Sequence, residues 1–258
     1  MKYKLILILT IFIALFSTSC CVKVTDLNPK EITTSSLKRM VKYDRAWSKM
    51  PYYVKIHIFT NRGYAGGCTG NIITKEVVLT AAHCLDTAKT ILIEKYNGMF
   101  FMSKDFHYPD IYQSVSTDGD IGVIIFNETI SENPVPLMTS KYLESGEISI
   151  LGGFRVTRER RKANVFEVGK LIIAGLTDEH IITRYTGLRP DHYPCFGSSG
   201  GGALGIRIKN WKINQVGLIS VVSKGGWICD TPGAYTYHTK IDKYLDFILQ
   251  YAPDVELI

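Results

Sequence analysis

From Tyr52 onward the chain is a succession of short runs rich in Ile, Val and aromatic residues: YYVKIHIF, NIITKEVVLTAA, DIGVIIF, ISILGGFRV, NVFEVGKLIIAG, HIITRYTG and NQVGLISVV. Gly, Asn, Asp or Pro interrupts them at intervals, and no strand–helix alternation repeats. β-Branched and aromatic runs bounded by turn residues read as strands, so the expectation is an all-β sandwich or barrel. Only the last part of the chain has helical spacing. There Ile241, Tyr244, Leu245 and Ile248 recur at i, i+3, i+4 and i+7, which predicts one C-terminal helix with a single apolar face. No internal repeat or low-complexity segment is present.

The N-terminus has a different texture. Lys2 and Lys4 precede an apolar run from Leu5 to Phe16, followed by Ser17, Thr18, Ser19, Cys20 and Cys21. A positive start, a short apolar stretch and small residues at its end predict a secretory signal peptide over residues 1–20. The run falls short of the roughly 20 residues that a spanning helix needs. Its end resembles the lipobox of bacterial lipoproteins, although Ser17 stands where a leucine is usual. Cys20 is the candidate lipid attachment residue and Cys21 the runner-up. Residues 21–45 are polar and charged and read as a linker or pro-segment. Residues 46–258 form the folded domain. The expected location is secreted or in the cell envelope, with membrane contact only through an N-terminal lipid.

Composition excludes more than it identifies. At 46% hydrophobic and 21% charged residues the chain is globular rather than disordered. A net charge of +6 is too small to argue for a nucleic-acid partner. The basic run Arg155, Arg158, Arg160, Arg161 and Lys162 reads as a solvated loop. Setting aside Cys20 and Cys21, the cysteines are Cys68, Cys84, Cys195 and Cys229. An even remainder in an exported chain suggests two disulfides, with three pairings open. None sits in a C-x-x-C pair, and His57, His107, His180, His192 and His238 lack metal-ligand spacing. No cofactor or metal is expected.

Three segments carry chemistry, in the order His, Asp, Ser. LTAAHC holds His83, STDGDIGVIIF holds Asp120 at the head of an apolar strand, and CFGSSGGGAL holds Ser199 among glycines. A serine nucleophile needs a base to take its proton and an anion to hold that base in one tautomer. It also needs a backbone tight enough to aim two N–H groups at the developing oxyanion, which glycines permit. A rival reading takes Gly197-Ser198-Ser199-Gly200-Gly201 as a G-x-S-x-G nucleophile elbow, with Asp230 and His238 following. It leaves LTAAHC unexplained and lacks the strand–helix alternation that fold requires.

On these segments, residues 46 to 258 resemble the chymotrypsin-like (trypsin-fold) serine endopeptidases, as a divergent exported member. LTAAHC and DIGVI match the family's histidine and aspartate segments, and GSSGGG matches G-D-S-G-G-P at four of six places. The resemblance implies two antiparallel Greek-key β-barrels with a catalytic cleft between them and a C-terminal α-helix. It implies Cys68–Cys84 and Cys195–Cys229 disulfides. It makes His83 the base and then acid, Asp120 its orienting partner, and Ser199 the nucleophile, with the N–H groups of Gly197 and Ser199 as oxyanion hole. Ser220 fits the position whose hydroxyl and backbone meet the aspartate and the substrate. A protein or peptide substrate follows.

The departures are specific. The aspartate that precedes the family's nucleophile, and that pairs with a new N-terminal amine in zymogen-type members, is here Ser198. Lys38-Arg39-Met40-Val41 sits where an activating cleavage would fall, but Lys42 and Tyr43 replace the glycines that should follow. The site is therefore expected to form without insertion of a new N-terminus. Tyr193 stands at the pocket floor where trypsin-type specificity needs an acid, and Val222 is expected to narrow the pocket wall. Both argue against strict Arg or Lys specificity. The alternative function is a pseudoprotease, a surface binding module that keeps the fold without the chemistry.

Overall fold

The computed structural model describes residues 47–131, 133–155, 165–185, 195–209, 212–225 and 231–258. Residues 1–46, with Cys20, Cys21 and Arg39, lie outside the described residues, as do most of the basic run, His192, Tyr193 and Cys229.

The β-branched runs become strands, and every pairing between named strands is antiparallel. The first seven are β1 (Tyr53–Thr60), β2 (Gly63–Ile72), β3 (Val77–Thr80), β4 (Thr90–Glu94), β5 (Phe100–Met102), β6 (Asp105–His107) and β7 (Gly122–Ile125). They form one barrel-like sheet in the order β5-β4-β1-β2-β3-β7-β6. The other six are β8 (Ile148–Arg155), β9 (Val165–Leu176), β10 (His180–Arg184), β11 (Gly202–Lys209), β12 (Lys212–Lys224) and β13 (Tyr235–Lys240). They close into a barrel, β10-β13-β12-β11-β8-β9. The expected all-β fold of two barrel-like units is found.

Each unit has its own apolar interior. Val54, Ile56, Ile72, Val78, Ile91, Ile93 and Ile124 fill the first. Leu151, Leu171, Ile173, Ile181, Ala203 and Ile219 fill the second. A third cluster joins them: Leu79 and Val123 from the first sheet meet Leu204, Leu218 and Val221 from the second. Its lid is the C-terminal segment, a 3-10 turn at Asp242–Tyr244 running into α1 (Leu245–Tyr251). Ile241, Tyr244 and Ile248 of the sequence's apolar stripe are buried there, while Leu245 is only partly covered.

Tyr53 is the polar rivet between the units. From β1 its hydroxyl donates to Gly202 O at 2.7 Å and accepts the Gly152 N–H at 3.2 Å. Gly152 must be glycine for this, because a Cβ there would lie 2.5 Å from the Tyr53 ring. Trp47 donates its indole N–H to Tyr53 O and packs edge-on against Phe154 at 4.6 Å. Phe166 completes this aromatic cluster.

Candidate active site

His83 lies in the 3-10 turn Ala82–Cys84 that follows β3. The turn is anchored by the Cys68–Cys84 disulfide, which ties it to β2. Asp120 comes two residues before β7 and is buried, whereas the His83 side chain is about one-third exposed. His83 Nδ1 meets Asp120 Oδ2 at 2.8 Å and Oδ1 at 3.1 Å, and the His83 backbone N–H donates to Oδ1 at 2.9 Å. Burial alone would raise the Asp120 pKa. The hydrogen bond and charge of His83, with a serine hydroxyl and the backbone N–H, outweigh it and hold the carboxyl below its usual range. An ionised carboxylate only accepts, so His83 Nδ1 carries the proton directed at Asp120.

The loop bearing Asp120 belongs to the first sheet but is strapped to the second. Thr239 Oγ1 donates to Asp120 O at 3.0 Å, and Gly119 N–H donates to Tyr244 Oη at 2.7 Å. Tyr244 in turn donates to Glu179, and His180 Nε2 lies 3.2 Å from Thr117 O.

The serine hydroxyl on Asp120 corrects the sequence reading. Ser223 Oγ donates to Asp120 Oδ2 at 2.6 Å, whereas Ser220 Oγ is buried with no hydrogen-bond partner among the described residues. The physical reason is a register shift in β12 between Val222 and Lys224, opposite β13. It frees Ser223 from the ladder and turns its hydroxyl to the aspartate. Val222 is corrected with it. It packs with Leu151, Ile173 and Ile219 inside the second barrel rather than on a pocket wall. The residues that follow the aspartate contact are Lys224 and Gly225, both exposed. The sequence signal for Ser223 was its place at the very end of an apolar run, just before a glycine-rich stretch, where strands hand over to functional loops.

Ser199 sits in the turn that leads into β11. Gly200 has φ +75°, and a Cβ on it would lie 2.1 Å from Thr80 Oγ1 and 2.9 Å from Ala81 N. The serine loop therefore abuts the chain just before His83. Among the described residues no hydrogen bond joins His83 to Ser199. Gly197 has φ +94°, and Ser198 N–H closes the turn on Cys195 O at 2.8 Å. Neither the Gly197 nor the Ser199 N–H has an acceptor among the described residues. Both residues are partly exposed, so these two N–H groups are open to the outside of the loop. Ser198 is fully buried and neutral: its Oγ accepts Cys195 N–H at 3.2 Å and donates to Phe154 O at 3.3 Å. Cys195 is itself disulfide-bonded.

Two barrel-like antiparallel sheets, with a His–Asp pair on one and a glycine-framed serine on the other, define a class: the trypsin-fold serine proteases. The sequence profile of the trypsin family matches residues 41–248, and the chain belongs to that family. Chymotrypsin-2 of Vespa crabro is 27% identical over 228 residues, 80% of this chain and 95% of the relative. A chymase of Mus musculus is 38% identical over 47 residues, 18% of this chain and 19% of the relative. The solved structure of HL collagenase shares the fold at a TM-score of 0.65 and 17% identity, over 82% of this chain and 97% of that one. Family membership implies a protein or peptide substrate. No helix among the described residues is long and apolar enough to cross a membrane.

Proposed function

We propose that the chain is an active serine endopeptidase working through an acyl-enzyme. Ser199 Oγ attacks the scissile carbonyl while His83 Nε2 takes its proton. The oxyanion is received by the N–H groups of Gly197 and Ser199. His83 then gives the proton to the leaving amine, and water repeats the sequence in reverse roles to release the acid. The observation that carries this reading is the saturation of Asp120, which accepts from His83 Nδ1, His83 N–H and Ser223 Oγ at 2.6–2.9 Å. That arrangement orients the imidazole, with Nδ1 toward Asp120 and Nε2 directed away from it, as a general base requires. Specificity is not strictly for Arg or Lys, a reading that rests on Tyr193 in place of an acid. The leader supports delivery to the cell envelope or beyond with lipid on Cys20, and metabolic palmitate labelling of the Cys20→Ser chain against wild type tests that.

The test of the activity is a fluorophosphonate probe on the full chain. Labelling that Ser199→Ala abolishes and Ser198→Ala retains is expected. A wild-type chain that takes no label and hydrolyses no peptide library overturns the reading in favour of a binding module.

A further inference from the structure

An oxyanion hole works only if its N–H groups are held before the charge appears. The loop here contains Gly197, Gly200 and Gly201, and glycine has the most conformational freedom to lose. Yet four consecutive carbonyls of this loop are each committed. Gly197 O accepts from Thr69 Oγ1 at 2.8 Å, Ser198 O from Gly201 N–H at 2.8 Å, Ser199 O from Thr69 N–H at 2.8 Å, and Gly200 O from Asn71 Nδ2 at 2.8 Å. A peptide group is planar and trans, so fixing its C=O fixes the N–H on its other edge. The Ser199 N–H therefore points away from the Ser198 O–Gly201 N bond.

Two of the four anchors converge on one residue of the opposite sheet. Thr69, on β2, is fully buried, and each of its polar groups is used. Besides the two donations, its hydroxyl accepts Phe154 N–H at 2.9 Å and its carbonyl accepts Thr80 Oγ1 at 2.8 Å. The hydroxyl is thus a joint between β2, β8 and the serine loop. It pins the Gly197–Ser198 plane on one side of Gly197, while the Cys195–Ser198 turn closes the other side. Between them the Phe196–Gly197 plane, which carries the Gly197 N–H, is confined at φ +94°.

We propose that Thr69 is the positioning residue that keeps the oxyanion hole formed, by a neutral hydroxyl rather than by an ion pair. This rests on the peptidase reading above. The hydroxyl touches neither nucleophile nor base, so its loss is felt where the oxyanion exists, in the transition state, and not in substrate binding.

The test compares Thr69→Val and Thr69→Ser with wild type in the full chain, on a peptide substrate that wild type cleaves. A peptide boronate serves as transition-state mimic, and thermal melting is followed in parallel. Thr69→Val is expected to lower kcat by about 100-fold with KM changed less than about 2-fold, and to weaken the boronate by a similar factor. Thr69→Ser, which keeps the donor, returns kcat to within about 3-fold of wild type. If Thr69→Val does not fold, Thr69→Ala replaces it, because the vacated space admits a water to the stranded Phe154 N–H and Gly197 O; a kcat loss of about 10-fold is then expected. A folded hydroxyl-free variant with unchanged kcat overturns the role of Thr69 alone, as does a loss that falls on KM or that serine fails to restore. A wild-type chain with no hydrolysis and no phosphonate label removes the peptidase reading and this inference together.

Discussion

Ser223 Oγ donates to Asp120 Oδ2 at 2.6 Å, across 103 residues of chain and from one sheet to the other. Hydrogen bonds to charged groups contribute about 1.5–3 kcal/mol, more than neutral pairs, because the carboxylate is largely shielded from water. Ser223→Ala should therefore lower kcat by about 10-fold or more, through a less firmly held His83. Ser220→Ala, which removes a hydroxyl with no partner among the described residues, should leave kcat unaltered and not lower the melting temperature. Steady-state kinetics on the two variants check this. Equal losses in both would remove Ser223 from its place beside Asp120.

Ser198 bears on activation. A buried carboxylate at that position would call for a counter-ion, whereas a serine is satisfied by Cys195 N–H and Phe154 O. The side chain of the same Phe154 belongs to the aromatic cluster of Trp47, Tyr53 and Phe166. Arg39→Gln, which blocks cleavage at that residue, should match wild type in fluorophosphonate labelling rate. Activity that appears only after a cut at Arg39 would refute this. Ser198→Asp should destabilise the fold, since it buries an unpaired charge.

The acid limb of stability should begin before the carboxylates titrate. Burial, aided by the charge of His180, lowers the His238 pKa from 6.5 to about 3. His57 is shifted in the same direction by burial, against the pull of Glu94. A histidine with a depressed folded pKa is neutral in the native state while the unfolded chain takes up a proton below about 6.5. The unfolded state then binds more protons, so stability is complete above that pH and falls as pH drops toward 3. Denaturant midpoints measured from pH 7 to pH 4 should decline steadily, and His238→Gln should flatten the slope. A flat wild-type profile over that window would contradict the buried neutral His238.

Removing the Cys68–Cys84 disulfide should cost more activity than stability. The bridge spans 16 residues, a loop for which about 3 kcal/mol of stabilisation is typical. Cys84 adjoins His83 and Cys68 adjoins Thr69, so the same bridge braces both His83 and the loop of Ser199. The Cys68→Ser, Cys84→Ser double variant is expected to remain folded at low temperature yet label slowly with phosphonate. Calorimetry and labelling rate, read together, separate the two effects.

Much of this was legible in the residues. The strand runs, the C-terminal apolar stripe and the His–Asp–Ser order all depend on local pattern, which sequence carries directly. What sequence could not carry was register. Two serines three apart, Ser220 and Ser223, both follow apolar residues, and only the bulge between Val222 and Lys224 decides which one faces Asp120. Thr69 was silent for a different reason. A threonine between Cys68 and Gly70 in a strand looks like ordinary β filler, and its partners Gly197 and Ser199 are known only once two sheets have met.

The rivet at Tyr53 has a consequence for the history of each molecule. It donates to Gly202 and receives from Gly152, residues made long after it. Contacts this far apart in the chain are slow to close and arrive with the last docking of the two sheets. Until then His83 and Asp120 have no Ser223, and Ser199 has no Thr69. On the peptidase reading, a chain whose sheets have not yet docked carries no assembled blade, and its surroundings are spared the cut until folding is over.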